Sequence, residues 1–305
     1  MMDLFISVLK VILEEGLMYA ILAIGVYISY SILDFPDLTV DGSMPFGAIL
    51  TAIAIINGVN PWLALIISFV FGCLAGTVTG LLHVKFKIKP LLCGILVSTA
   101  LISVNLVVLL ELNSGITTAT FFNMDTIFKS GIATLIPNDI FGYNFRVAIM
   151  SAIIVIIVKV IFDIYLKTKS GLLIRATGNN EKYVAMLGQD PGTSKIIGLA
   201  LGNGFAALSG GIIAQSKGSA DTTMGTGMVV LGLASVIIGI SLFKKVKFMK
   251  ATTMVILGSI LYKACLAIAL NMGLPTEYLK MLMVVIFIFA LVGSEKFSFL
   301  SKRRA

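Results

Sequence analysis

Residues Gly16 to Ser43 read GLMYAILAIGVYISYSILDFPDLTVDGS. From Gly16 to Leu33 there is no acid and no base, and the run is nearly as long as the roughly 20 apolar residues that carry a helix across a bilayer. The stretch that follows, Asp34 to Ser43, holds three aspartates, a proline, a glycine and no basic residue. An apolar run then restarts at 43–57, too short to span comfortably. A plain turn at the inner membrane surface would not be so acidic. Unwound backbone at membrane depth is tolerated where it is buried in protein or lines a cavity, and broken helices of this kind build binding sites in transport proteins.

Outward from this break, long apolar runs recur at 61–82, 90–111, 145–166, 196–216, 226–242, 251–271 and 279–293. With 16–33 and 43–57 they make nine segments, and the expected fold is an all-α polytopic transmembrane bundle of nine or ten spans. The bulk numbers agree: 58% of the 305 residues are hydrophobic, 12% are charged, and mean hydropathy is +1.04. A soluble domain carries about 25% charged residues. Residues 1–15 place Leu4, Phe5, Val8, Leu9, Ile12 and Leu13 at helical spacing among Asp3, Lys10, Glu14 and Glu15, and lack a cleavage signal. They read as an amphipathic helix that lies on the outer surface or crosses as a tenth span.

The net charge of +8 is gathered between apolar runs, which points to topology and not to nucleic acid. Lys85, Lys87 and Lys89, then Lys167 to Lys195, then Lys244 to Lys250, then Lys302 to Arg304 fall on one side if every run crosses once, and that side is expected to be cytoplasmic. The division expected is a membrane domain over 16–293, an outer segment 112–144 that either docks a partner or packs as a connector, an inner segment 170–190, and a cytoplasmic tail 294–305. Small residues at Gly72, Ala75, Gly76, Thr79 and Gly80, and at Gly198, Gly202, Ala206 and Gly210, repeat at spacings that let helices approach closely.

Several chemistries are excluded. Cys73, Cys93 and Cys265 sit singly in apolar runs, and the one histidine, His83, has no ligating neighbours in sequence, so no metal or disulfide is expected. GQDPGTSK at Gly188–Lys195 lacks the spacing of a phosphate-binding loop. No His, Asp or Ser constellation suggests a membrane-embedded enzyme.

Three further features carry function. KGSADTTMGTG at Lys217–Gly227 is a second polar break, with Asp221 and Thr222, and it follows a run of opposite direction to the first; an inverted repeat with the pathway between its halves is expected. In the inner segment, Asn179 or Asn180 can cap a short helix with Glu181 in its first turn, Gly188 can end it, and Tyr183, Met186 and Leu187 share one face. Within the spans, Lys263 needs a partner, for which Asp41 or Asp221 are candidates; Lys159 and Asp163 can pair locally; Asn105 and Asn203 can bond between helices or line the pathway.

DLTVDGSMPFGA at Asp37–Ala48 and SGLLIRATGNNEKYVAMLG at Ser170–Gly188 resemble the permease subunits of ATP-binding-cassette importers of the branched-chain amino acid and ribose type, over essentially the whole chain. With NPWLA and the Lys89–Leu96 stretch, the likeness is to a subgroup similar to permeases for aromatic amino acids such as tryptophan or tyrosine. The resemblance implies a multi-pass plasma-membrane permease with a cytoplasmic C-terminus, acting as a homodimer. It also implies no cofactor on this chain, ATP–Mg on a separate ATP-binding subunit, and a substrate-binding lipoprotein outside. Pathway residues would be Asp37, Thr39, Asp41, Ser43, Asn105, Asn203, Asp221, Thr222 and Lys263. The ATPase would dock on Arg175, Asn180, Glu181, Tyr183, Ala185, Met186 and Gly188. Relative to the ribose-type pattern Asp41 is extra, which admits an acid near a cationic amino group. The alternative is an ion-coupled secondary transporter, with ion sites at Asp37, Asp41, Asp221 and Lys263.

Overall fold

A computed structural model describes residues 2–112, 115–136, 144–244, 246, 248–275 and 278–302. The parts of the outer segment at 113–114 and 137–143, and Arg303–Ala305 of the tail, lie outside the described residues. Among the described residues eleven α-helices run in chain order: α1 Met2–Val26, α2 Val40–Ile56, α3 Pro61–Val84, α4 Pro90–Leu112, α5 Arg146–Tyr165, α6 Lys169–Asn179, α7 Glu181–Met186, α8 Pro191–Lys217, α9 Met228–Phe243, α10 Ala251–Asn271 and α11 Leu279–Lys302. Among the described residues seven helical stretches are long and apolar enough to cross a membrane, and α2 and part of α11 are shorter apolar helices, which recovers the nine segments. Two three-residue strands, β1 Thr118–Thr120 and β2 Ser219–Asp221, pair antiparallel at the end opposite α6 and α7.

No boundary falls at residue 15. α1 runs unbroken from Met2 to Val26 and continues as a π-helical segment, Tyr27–Ile32. The charges that interrupt its hydropathy are answered within the protein: Lys10 lies 3.8 Å from Glu14, and Glu15 lies 2.9 Å from Lys263. Likewise α11 runs on through Ser294 to Lys302, a stretch without glycine or proline to stop it, so the expected tail begins inside a helix.

The helix contacts fall into two matching units. In the first, α2 packs on α3 and α4; in the second, α9 packs on α10 and α11. Across the units α3 packs on α8 while α10 packs on α1. α1 and α8 cross antiparallel, with Met18 level with Ser209 and Gly25 level with Gly202. At that crossing each glycine faces the other's backbone: a Cβ on Gly202 would stand 3.0 Å from the Gly25 carbonyl oxygen, and one on Gly25 would overlap the Gly202 carbonyl. Close backbone approach is how helices gain packing energy in lipid, where burial of apolar surface drives nothing. α1 and α8 are the most enclosed of the long helices, and the polar site sits along them.

The outer segment packs onto the bundle where it is described. Phe121, Ile127 and Phe128 are buried, the Phe121 N–H donates to the Gly218 carbonyl at 2.8 Å, and the Gln215 side chain accepts from the Ile127 N–H at 2.9 Å.

Candidate functional site

The first break ends α1 by specific chemistry. Asp34 adopts φ +53°, a left-handed conformation that aspartate visits more readily than most residues, and the Phe35 N–H returns to the Ser29 carbonyl at 2.9 Å. Pro36 cannot continue a helix. Asp37 then accepts the Thr39 N–H on Oδ1 at 2.9 Å, turning the chain into α2.

The other oxygen of Asp37 accepts from Asn203 Nδ2 of α8 at 2.7 Å. Asn203 Oδ1 accepts from the Ser43 hydroxyl at 2.8 Å, and Nδ2 also reaches the Leu199 carbonyl at 3.1 Å. The Thr39 and Thr79 hydroxyls lie 2.8 Å apart, linking α3. Asn105 of α4 donates to the Gly42 carbonyl at 3.1 Å, while its Oδ1 is buried without a partner. Asp37, Thr39, Ser43, Asn105 and Asn203, all singled out from sequence, thus converge on the start of α2 and are all buried. Thr79 belongs with them; its place in the small-residue stripe of α3 hid its hydroxyl's role.

Asp41 has a different task. Its Oδ1 accepts the Val229 N–H at 2.8 Å, so the acid after the first break caps the helix after the second. Pro45 makes this junction possible. It has no N–H to give to the Asp41 carbonyl four residues back, and Gly225 packs against that carbonyl and the proline ring, where a Cβ would clash with both. The two breaks are therefore joined near the middle of the bundle.

The chain matches the family described as branched-chain amino acid transport system / permease component, over residues 9–291. It belongs to that permease family. The permease is 38% identical over 277 residues to a tyrosine transport system permease protein of Clostridioides difficile (strain R20291), covering 91% of this chain and 88% of the relative. It is 31% identical over 205 residues to an uncharacterized protein of Rickettsia prowazekii (strain Madrid E), covering 67% and 66%. No solved structure matches. The family and the helical spans together make the permease a multi-pass membrane protein.

Other sequence expectations are placed elsewhere in the permease. Asp221 lies in β2 opposite Thr118 and caps the turn Thr222–Gly225 through the Thr223 N–H at 2.7 Å, so neither Asp221 nor Thr222 joins the Asp37 cluster. Lys263 pairs with neither Asp41 nor Asp221, both of which are engaged as caps. It bonds Glu15 Oε2 at 2.9 Å and lies 3.9 Å from the centre of the Tyr19 ring. Setting residues 1–15 apart from the 16–33 run concealed this pair, which the continuous helix α1 presents to α10. The local pair Lys159–Asp163 forms at 3.3 Å, and Lys250 and Thr252 add to it.

In the segment between α5 and α8, Asn180 accepts the Tyr183 N–H at 3.2 Å to cap α7, and Gly188 ends the turn with φ +72°. Tyr183, Met186 and Leu187 are exposed, Met186 at 83%, while Val184 of the same helix is buried. Arg175, Asn180, Glu181, Ala185 and Gly188 are exposed beside them. Among the described residues no cluster of His, Cys, Asp and Glu is placed to hold a metal ion.

Proposed function

We propose that the permease is the membrane subunit of an ATP-binding-cassette importer for an aromatic amino acid, with tyrosine the first candidate. The observation that carries the reading is α7: a capped helix that holds one apolar side chain inward and leaves Tyr183, Met186 and Leu187 uncovered. It projects from the end where Lys85, Lys87, Lys89, Lys167, Lys169 and Lys182 gather, which the positive-inside rule assigns to the cytoplasm. An ATP-binding subunit carrying ATP–Mg would cover that face. A secondary transporter or a channel has no use for it. The name of the Clostridioides difficile relative favours tyrosine over branched-chain substrates.

The pathway is proposed to lie between two copies of the chain. A groove of about 400 Å³ between α3, α5 and α8 is lined by Trp62, Phe69, Ile154, Phe162, Phe205 and their neighbours without an acidic or basic side chain, and suits lipid better than a zwitterion. The buried polar cluster at Asp37 and Asn203 would hold the break in shape, and Asp41 would hold the two breaks together. A lipoprotein would deliver substrate at the β1–β2 end, in the plasma membrane, with the C-terminus cytoplasmic.

Uptake tests the reading. The chain is expressed with the products of its neighbouring genes, in a host lacking aromatic amino acid uptake, and labelled tyrosine is followed. Saturable uptake that ATP depletion abolishes is expected, with tryptophan and phenylalanine competing better than leucine. Uptake that survives ATP depletion and is lost on collapsing ion gradients would establish the secondary transporter instead.

A further inference from the structure

We infer that His83 is a positioning residue that ties α7, the proposed docking helix, to the break at 33–39. Glu181 in the first turn of α7 pairs with Lys195 of α8 at 2.5 Å. Lys195 Nζ lies 3.3 Å from His83 Nε2 of α3. His83 Nδ1 lies 2.9 Å from the Ile88 carbonyl, which can only accept. Nδ1 therefore carries the ring proton, and Nε2 is left with the lone pair that accepts from the Lys195 ammonium. The same ring stands edge-on to Phe35, centroids 5.1 Å apart and planes at 78°. Phe35 is buried in the break, two residues before Asp37. The ring thus has three fixed partners, one of them the break itself.

A second, apolar route runs beside the first. Gly178 of α6 packs on the Ile32 carbonyl where the π-helical segment ends, and Leu33 and Ile174 of α6 both sit against Gly198 of α8. Movement of α6 and α7 is transmitted to the start of the break by packing, and His83 fixes the angle at which Phe35 follows. A plain surface ion pair would hold α7 and reach no further; the coupling argued here is between two separate elements and needs its own test. The inference gives the proposed ATPase docking a route into the pathway, yet its test uses the permease alone and so fails or succeeds independently of whether an ATPase binds.

The test is amide hydrogen exchange on the solubilised chain with no partner present, comparing Lys195→Met, His83→Phe, the double variant and His83→Gln. In Lys195→Met and His83→Phe, exchange across 33–39 is expected to rise about threefold, the scale of one lost partly exposed pair, with 219–226 unchanged. The double variant should exchange no faster than the faster single, because both remove the same link. His83→Gln keeps a donor and an acceptor but no ring, so 33–39 should loosen while 181–187 holds. Unchanged exchange at 33–39 in the single variants, acceleration confined to 181–187, or an equal rise over the whole chain would each overturn the inference.

Discussion

Replacing Asn203 with alanine removes the residue that joins the first break to α8. The change deletes the donor to Asp37 Oδ2 and the acceptor of the Ser43 hydroxyl, both inside the protein. An orphaned buried polar group costs about 1–3 kcal/mol, more if charged. Interhelical hydrogen bonds in membranes measure lower, about 0.6 kcal/mol on average and 1.7 at most. With two groups orphaned, one of them the Asp37 carboxyl, and a small cavity added, the expected loss for Asn203→Ala is about 3 kcal/mol. Ser43→Ala removes one neutral partner and should cost about 1 kcal/mol. In the double variant the Ser43 hydroxyl is no longer stranded, so its cost should fall about 1 kcal/mol short of the sum. The chain supplies its own probe: Cys93 is fully buried, while Cys73 is partly and Cys265 largely accessible. With those two replaced by alanine, reaction of Cys93 with a thiol dye on heating reports unfolding. The Asn203→Ala midpoint should fall by roughly 5–10 °C. A midpoint within a degree or so of the parent, or strict additivity with Ser43→Ala, would refute the hydrogen-bonded account of the cluster.

Three further outcomes are expected with the same assay. Glu15→Gln leaves the buried Lys263 without its countercharge and, because the Glu15 side chain is partly exposed, should cost about 1–2 kcal/mol, whereas the double variant Glu15→Gln/Lys263→Met should recover most of it, since the stranded charge is removed as well. Asp41→Asn should stay near the parent because asparagine caps a helix about as well, while Asp41→Ala should lose about 1 kcal/mol and loosen α9 in hydrogen exchange. Asp190 caps α8; the Thr193 hydroxyl, and then the N–H groups of Gly192 and Thr193, hold its carboxyl below the usual carboxylate range. A lowered folded pKa stabilises above the ordinary aspartate value and is lost as pH falls through the folded one. The midpoint difference between parent and Asp190→Ala should therefore be flat from pH 8 to 5 and shrink below about pH 4.

Local chemistry was legible in the sequence and long-range pairing was not. The break DFPDLTVDGS announced itself through Pro36 and its acids, and α7 through Asn180 and Gly188, because capping and turn signals lie within a few residues of what they control. Lys159 and Asp163 sit one helical turn apart and were read for the same reason. Lys263 was misassigned because its partner lies 248 residues away and only the crossing of α1 with α10 brings them together. α1 and α11 run past the apolar stretches read from the sequence because hydropathy marks where apolar character stops, whereas a helix stops at glycine, proline or a cap. Asp41 was read as a pathway residue and as a candidate partner of Lys263. Its engagement as the cap of α9 depends on Gly225 reaching Pro45, which no local pattern encodes.

Co-purification tests the central claim most directly. The permease, expressed with its neighbouring genes and mildly solubilised, should bring down an ATP-binding subunit through the exposed face of α7. Glu181→Arg and Ala185→Arg together should release that subunit while leaving the permease folded by the Cys93 assay. An ATPase retained equally by both chains would contradict α7 as the docking helix, and no ATPase with either would contradict the importer itself.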